Sequence, residues 1–170
     1  MALIVQDDTG AVSGANAYIF LVEFKAYHDT RGNNYLAYTD TEIENAIIRS
    51  TDYVDIRFNF VGSKSNSRDQ VTQWPRSSAL DRDGWYVTGI PLEIKDAIAE
   101  YAFRALSGSL IPDPVTDKTG REVESTEIKA GPITKKVSYI GRGQNTFKPF
   151  PKADRILANL LEPAGMIARG

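Results

Sequence analysis

One stretch, from Gln73 to Gly108, constrains the fold more than any other. It reads QWPRSSALDRDGWYVTGIPLEIKDAIAEYAFRALSG. An aromatic-rich connector, Trp74 to Tyr86, leads into the most clearly written helix of the chain. Pro91 stands where a first helical turn tolerates it, because that position has no intrahelical use for an N–H. Glu93 and Asp96 put negative charge near the positive end of the helix dipole. Ile90, Ile94, Ala97, Ile98, Tyr101, Ala105 and Leu106 recur at helical spacing, so one face is apolar. Gly108 is expected to end the run as a C-terminal glycine. Other segments must cover this helix or project away from it.

The 170 residues fit one domain, or one domain with an extension, and 42% hydrophobic with 10% aromatic residues is enough for a core. Twenty basic against 22 acidic residues leave a net charge of -2, which argues against a protein devoted to coating nucleic acid. No cysteine is present, so disulfides and thiolate chemistry are excluded. No run approaches the ~20 apolar residues a membrane span needs. The start, MALIVQDDTG, lacks a basic flank and reaches Asp7 and Asp8 too soon for a signal peptide.

Before the central helix, Leu3 to Val5 and Asn16 to Phe20 read as short extended pieces, with Asp7 to Gly10 a turn between them. A first helix is predicted over about Leu21 to Thr30, with Leu21, Phe24, Tyr27 and His28 on one face. Thr39 and Glu42 form a capping box, so a long helix should run from there to about Phe60, stopped by Gly62. Its stripe is Ile43, Ile47, Val54 and Phe58, widened by Ala46, Tyr53 and Ile56. After Gly108 the period changes. β-Branched residues in two runs around Ala130-Gly131-Pro132 predict a hairpin or extended arm at about 122–140. Residues 141–146 read as a linker and Phe147 to Lys152 as a semi-rigid Pro/aromatic segment. Asp154 then caps a short last helix. The expected architecture is mainly α, three to four helices with a β-hairpin arm, divided into a domain over 1–140 and a C-terminal segment over 141–170.

No catalytic constellation stands out, and the chain reads as a non-enzyme without a cofactor. The sole histidine, His28, sits in an amphipathic helix and reads as structural, which with no cysteine leaves no zinc site. Asp81-Arg82-Asp83-Gly84 resembles the start of a calcium loop but lacks its later ligands, so a tight turn is expected. Ser77 has no base. Gly141-Arg142-Gly143 lacks the lysine and strand of a phosphate loop. Trp74, Trp85 and Tyr86, with Arg76, Arg82, Lys64 and Arg68, could stack and hold single-stranded DNA. The simpler expectation is that the tryptophans pack the connector and that Arg76 pairs with a carboxylate. Core positions are expected at Trp74, Ile94, Ile98, Tyr101, Ile47 and Val54. The string Phe147, Phe150, Ile156, Leu157, Leu160 and Leu161 either folds back on the core or docks on another subunit. Together with Ile133, Val137 and Tyr139 of the arm it forms the candidate protein interface. A chain cut after Gly143 is expected to remain a folded monomer that no longer joins its assembly.

Several short motifs carry a resemblance. They are Ala15-Asn16-Ala17-Tyr18; Tyr53-Val54-Asp55 with Arg57-Phe58; Gly62 and Lys64; Trp74-Pro75-Arg76; Asp83-Gly84; Ile90-Pro91; Ile94-Lys95 with Ala97, Glu100, Ala102 and Ala105; Gly131-Pro132, Tyr139 and Leu160-Leu161. In order and spacing they resemble head-to-tail adaptors (head completion or connector proteins) of the tailed-phage neck, a family often labelled DnaT-like single-stranded DNA-binding proteins. The resemblance implies a helical bundle with a hairpin, assembled as a homo-oligomeric ring of twelve copies to match a portal. It implies as partners the portal protein and a tail or second neck protein, with double-stranded DNA passing through unbound and no membrane. The virion neck would be its location after synthesis in the host cytoplasm. The alternative is a single-stranded DNA-binding replication accessory, against which the overall charge argues.

Overall fold

The computed structural model describes residues 2–111, 123–129, 134–139 and 148–162; of the two strands at 123–129 and 134–139 it describes the backbone pairing. The order is α1 (Leu21–Asp29), α2 (Asp40–Arg57), β1 (Ser63–Lys64), β2 (Arg76–Ser77), α3 (Leu92–Ser107), β3 (Val123–Lys129), β4 (Thr134–Tyr139) and α4 (Pro151–Leu157), the last running into a 3-10 turn, Ala158–Leu160. The protein is mainly helical, four helices with an antiparallel hairpin, as the patterning predicts. Two compact units result: residues 1–110 with 149–170, and residues 111–148. The C-terminal helix thus joins the helical unit and the hairpin region stands as its own, a different division from 1–140 and 141–170.

α3 is the centre of the helical unit, packed by α2 on one side, α4 on another and α1 on a third. Ile94, Ala97, Ile98, Tyr101 and Ala105 are buried, and so are Ala99, Glu100 and Ala102, so the helix is covered nearly all round. Small alanines on the second face allow that close approach, since packed interiors leave no room for extra volume. Pro91 is the N-cap, one position earlier than expected, and Gly108 has φ 165, an extended backbone open to any residue. The stop therefore does not come from a left-handed glycine.

α2 starts with the expected capping box: the Thr39 side chain accepts from the Glu42 N–H, and the Glu42 carboxylate accepts from the Thr39 N–H at 2.8 Å. It ends at Arg57 rather than Phe60, because Phe58 turns extended and the following residues pair with Leu160 to Glu162. Phe60 bridges Leu161: Val61 N–H donates to Leu160 O at 3.1 Å and Glu162 N–H to Asn59 O at 3.0 Å. Gly62 is needed for a different reason than stopping a helix. At φ +77 an added Cβ would meet Ser77 O at 2.5 Å and Ala79 N at 2.8 Å. Ile56, expected to widen the apolar stripe, is 72% exposed; the stripe instead includes Ser50 and Thr51, whose hydroxyls donate back to Ala46 O and Ile47 O.

In the hairpin unit β3 and β4 pair antiparallel, with Val123 opposite Tyr139, Thr126 opposite Val137 and Lys129 opposite Thr134, and an irregularity between Val123 and Ser125. At the N-terminus Val5 bridges Ala17 in parallel, and Asn16 secures the pair by accepting from Ile4 N–H at 2.8 Å and donating to Ala2 O at 2.9 Å.

Candidate functional site

The connector between α2 and α3 carries the aromatic and cationic residues that the sequence singles out as a candidate single-stranded DNA surface: Trp74, Trp85 and Tyr86 with Lys64, Arg68, Arg76 and Arg82. Trp74 is fully buried, its ring edge-on to Phe60 at 5.7 Å between centroids. Around it runs a polar web. Trp74 N–H donates to the Tyr18 hydroxyl at 3.0 Å, and that hydroxyl donates to Asp55 at 2.6 Å. Asp55 also accepts from Gln73 N–H at 3.0 Å. Thr72 donates to Trp74 O at 2.7 Å, and buried Gln70 donates to both Thr72 O and Pro75 O at 3.0 Å. These bonds satisfy the backbone of a loop that has little regular structure of its own.

Among the described residues Arg76 forms no ion pair, though the Glu162 carboxylate acts on it through space. Its guanidinium donates to the carbonyls of Val61 at 2.8 Å, Phe60 at 3.1 Å, Gly62 at 2.6 Å and Gln73 at 3.3 Å, and to Gln73 Oε1 at 3.0 Å. Burial lowers its pKa from the usual arginine value. The expected ion pair is corrected to a carbonyl clamp: five donors in a rigid fork suit a cluster of chain-reversal carbonyls better than one carboxylate would. Lys64 likewise donates to Gln70 O at 2.7 Å. Trp74, Arg76 and Lys64 are thus all engaged inside the helical unit.

What remains at the surface is a tight turn. Leu80 bridges Tyr86, Asp81 N–H donates to Trp85 O at 2.9 Å, Val87 N–H to Ala79 O at 2.9 Å and Gly84 N–H to Asp81 O at 3.0 Å. Asp81 accepts from Asp83 N–H at 3.0 Å and Trp85 N–H at 2.8 Å, so its carboxylate shapes the turn, as expected of the Asp81–Gly84 motif. Trp85 and Tyr86 are each 74% exposed and Leu80 43%. Two carboxylates, Asp81 and Asp83, share the turn with Arg82.

The C-terminal helix is fixed by one carboxylate. Asp154 accepts from both terminal nitrogens of Arg57, at 2.9 and 3.1 Å, from the Tyr101 hydroxyl, and from Phe150 N–H at 3.1 Å. Phe150, half-buried, sets its ring edge-on to Tyr53 and Tyr101. Ala153, Leu157 and Leu160 are buried, Ile156 and Leu161 half-buried. Lys152 pairs with buried Glu100, which also accepts from Tyr27 at 2.9 Å; burial pushes the Glu100 pKa up, but these partners outweigh it and hold it below the usual range. Of the two readings open for this string, the structure adopts the fold-back one. Phe147 and Ile133 lie outside the described residues, and Val137 and Tyr139 are placed in the hairpin ladder. The six expected core residues, Trp74, Ile94, Ile98, Tyr101, Ile47 and Val54, are all buried.

His28 is structural, as expected, and fully buried. Nε2 lies 3.0 Å from Ala99 O and Nδ1 2.9 Å from the Asn33 amide, and burial holds its pKa below the usual value. It packs on Phe24, Tyr35 and Phe103. Among the described residues no cluster of histidine and carboxylate side chains could hold a metal ion, and no helix is long and apolar enough to cross a membrane.

Asp55 gives a testable pH dependence. Burial raises its pKa to about 6, against the lowering effect of its Tyr18 and Gln73 bonds. A folded-state pKa above the unfolded value means unfolding releases a proton between about pH 4 and 6, so this group's contribution to stability rises as pH falls through that window. In Asp55→Asn the contribution vanishes. The stability difference between the native chain and the variant should shift in the native chain's favour by up to about 1.4 kcal/mol per pH unit crossed downward. Urea titrations at several pH values would measure it; parallel curves would show that Asp55 is not the titrating group.

The family model described as "Putative DnaT-like ssDNA binding protein" matches residues 1–170, the whole chain. No curated protein and no solved structure matches it.

Proposed function

We propose that this chain, which belongs to the DnaT-like family matched by its whole length, is a non-enzymatic structural protein of the tailed-phage neck. It would form an oligomeric ring between portal and tail, extend the DNA channel and join head to tail. One observation carries the reading. Of the residues that could form a stacking and phosphate-binding surface, Trp74, Arg76 and Lys64 are engaged internally, and the exposed Trp85 and Tyr86 share their turn with Asp81 and Asp83. Binding of single strands needs cations that track the backbone. Exposed aromatics on a rigid turn with mixed charge suit a protein interface better. The motif residues that carry the resemblance to neck adaptors are used for architecture: Asn16, Tyr18, Asp55, Trp74, Arg76 and Glu100 all make contacts within the helical unit. The antiparallel pairing of β3 and β4 supports the reading, because the resemblance to such adaptors implies a hairpin or arm.

Deleting the gene from the phage that carries it and imaging the particles tests the proposal. Filled or leaking heads beside separate, intact tails are expected. Cells with little phage DNA and few filled heads would overturn it.

A second reading, single-stranded DNA binding, is favoured by the family's description. In that case Trp85 and Tyr86 would be the stacking platform and Arg82 and Arg68 the phosphate contacts. On oligo-dT resin at moderate salt the neck reading expects the protein in the flow-through. Salt-sensitive retention that a Trp85→Ala/Tyr86→Ala variant loses would establish the second reading instead.

A further inference from the structure

A cleft of about 310 Å³ in the helical unit lies between α1 and α3. Ile19 and Ala26 line it from the α1 side, Leu92 and Ala99 from α3, and Leu92 is 68% exposed. Glu23 and Lys95 pair across it at 3.2 Å. Asp96, also in the lining, is less well served. Among the described residues its ion pair is with Arg31, at 3.8 Å, and it accepts no hydrogen bond. Burial pushes its pKa up, and Glu93 and Glu100 add to this against the pull of Arg31. The lining thus holds two carboxylates, Glu23 and Asp96, against one cation, Lys95. An apolar cleft with an under-neutralised carboxylate suits a ligand that is apolar and cationic together.

The same unit carries that combination on its own surface. Trp85 and Tyr86 are each 74% exposed, and beside them Arg82 is exposed, with no hydrogen bond or ion pair among the described residues. The Asp81 carboxylate, accepting from Asp83 and Trp85 N–H, holds the turn and so fixes where these side chains stand. Neither aromatic lines the cleft, so a chain does not fill its own. We infer that the cleft receives the 81–86 turn of a second copy of this chain, with Trp85 against Ile19 and Leu92 and Arg82 against Asp96. This rests on the ring reading above and names the contact between neighbouring copies. Turn and cleft are different patches, so the contact is head-to-tail and each copy uses both, as a closed ring requires. Apolar burial supplies the attraction and the Arg82–Asp96 pair the register.

Sedimentation of the purified full chain tests this. The native chain is expected to associate beyond a dimer as its concentration rises. Arg82→Glu or Asp96→Lys alone should weaken association at least about tenfold, because each sets like charges face to face. An equimolar mixture of the two variants should recover it. The reversed turn then meets the reversed cleft, and the native turn the native cleft. Recovery also shows that both variants are folded. A native chain that stays monomeric, association untouched by either reversal, a mixture that does not recover, or assembly that stops at a dimer would each overturn the contact. The neck reading fails separately. No recovery in the mixture, beside filled heads and free tails in the gene deletion, removes the contact and leaves the neck. Recovery beside cells with little phage DNA keeps the contact and removes the neck.

Discussion

An Ile98→Asp chain is expected to be unfolded, with its far-UV helix signal lost and its elution shifted to the unfolded or aggregated position. Ile98 has no solvent exposure and lies on the central helix, which α2, α4 and α1 cover. A carboxylate there either stays charged without a partner or takes up a proton and still leaves a polar group in an apolar site. Either cost, added to the lost packing of a buried isoleucine at about 2–5 kcal/mol, approaches the whole ~5–15 kcal/mol that holds a domain of this size together. Ile98→Val is the control, at about 0.5–1.5 kcal/mol. A soluble, fully helical Ile98→Asp chain would mean that this face is not the core.

Cutting the chain after Gly143 should have a comparable effect, the reverse of what the sequence alone leads one to expect. The cut removes Leu157 and Leu160, both essentially fully buried, and Ala153. At about 1.5–3 kcal/mol per buried leucine, the two come to about 3–6 kcal/mol. It also removes Asp154, the carboxylate that accepts from Arg57 and the Tyr101 hydroxyl, and the loss of that charged acceptor adds to the cost. Chain 1–143 is therefore expected to precipitate or to unfold at much lower urea than the full chain. A stable, monomeric 1–143 chain would return α4 to the role of a docking segment.

The helices were readable because each carries its own local signals. Thr39 and Glu42 announce α2, Pro91 and the Ile94, Ile98, Tyr101 spacing announce α3, and the alternation after Val123 announces the hairpin. Their ends were less readable. Nothing local says that Phe58 leaves the helix, since the cause is Leu161, far along the chain. Ile56 is apolar and near the stripe, yet it faces water, because periodicity gives a face and not its width. The candidate DNA surface was legible only as a list of residue types. Which of them remain outside depends on Arg76 finding four carbonyls and on Trp74 finding Tyr18 and Phe60.

By itself, then, the sequence determined the class of fold, the central helix with its apolar positions, the capping of α2, the tight turn at Asp81–Gly84 and the absence of thiol chemistry. These follow from backbone preferences and spacing within a few residues. Tertiary structure alone decided that α4 belongs to the helical unit, that Arg76 clamps a chain reversal and that Trp85 and Tyr86 stay exposed while Trp74 does not. Each of these turns on contacts between residues far apart in the chain, where the competition between burial, hydrogen-bond satisfaction and solvation is settled by which partners arrive at the same place.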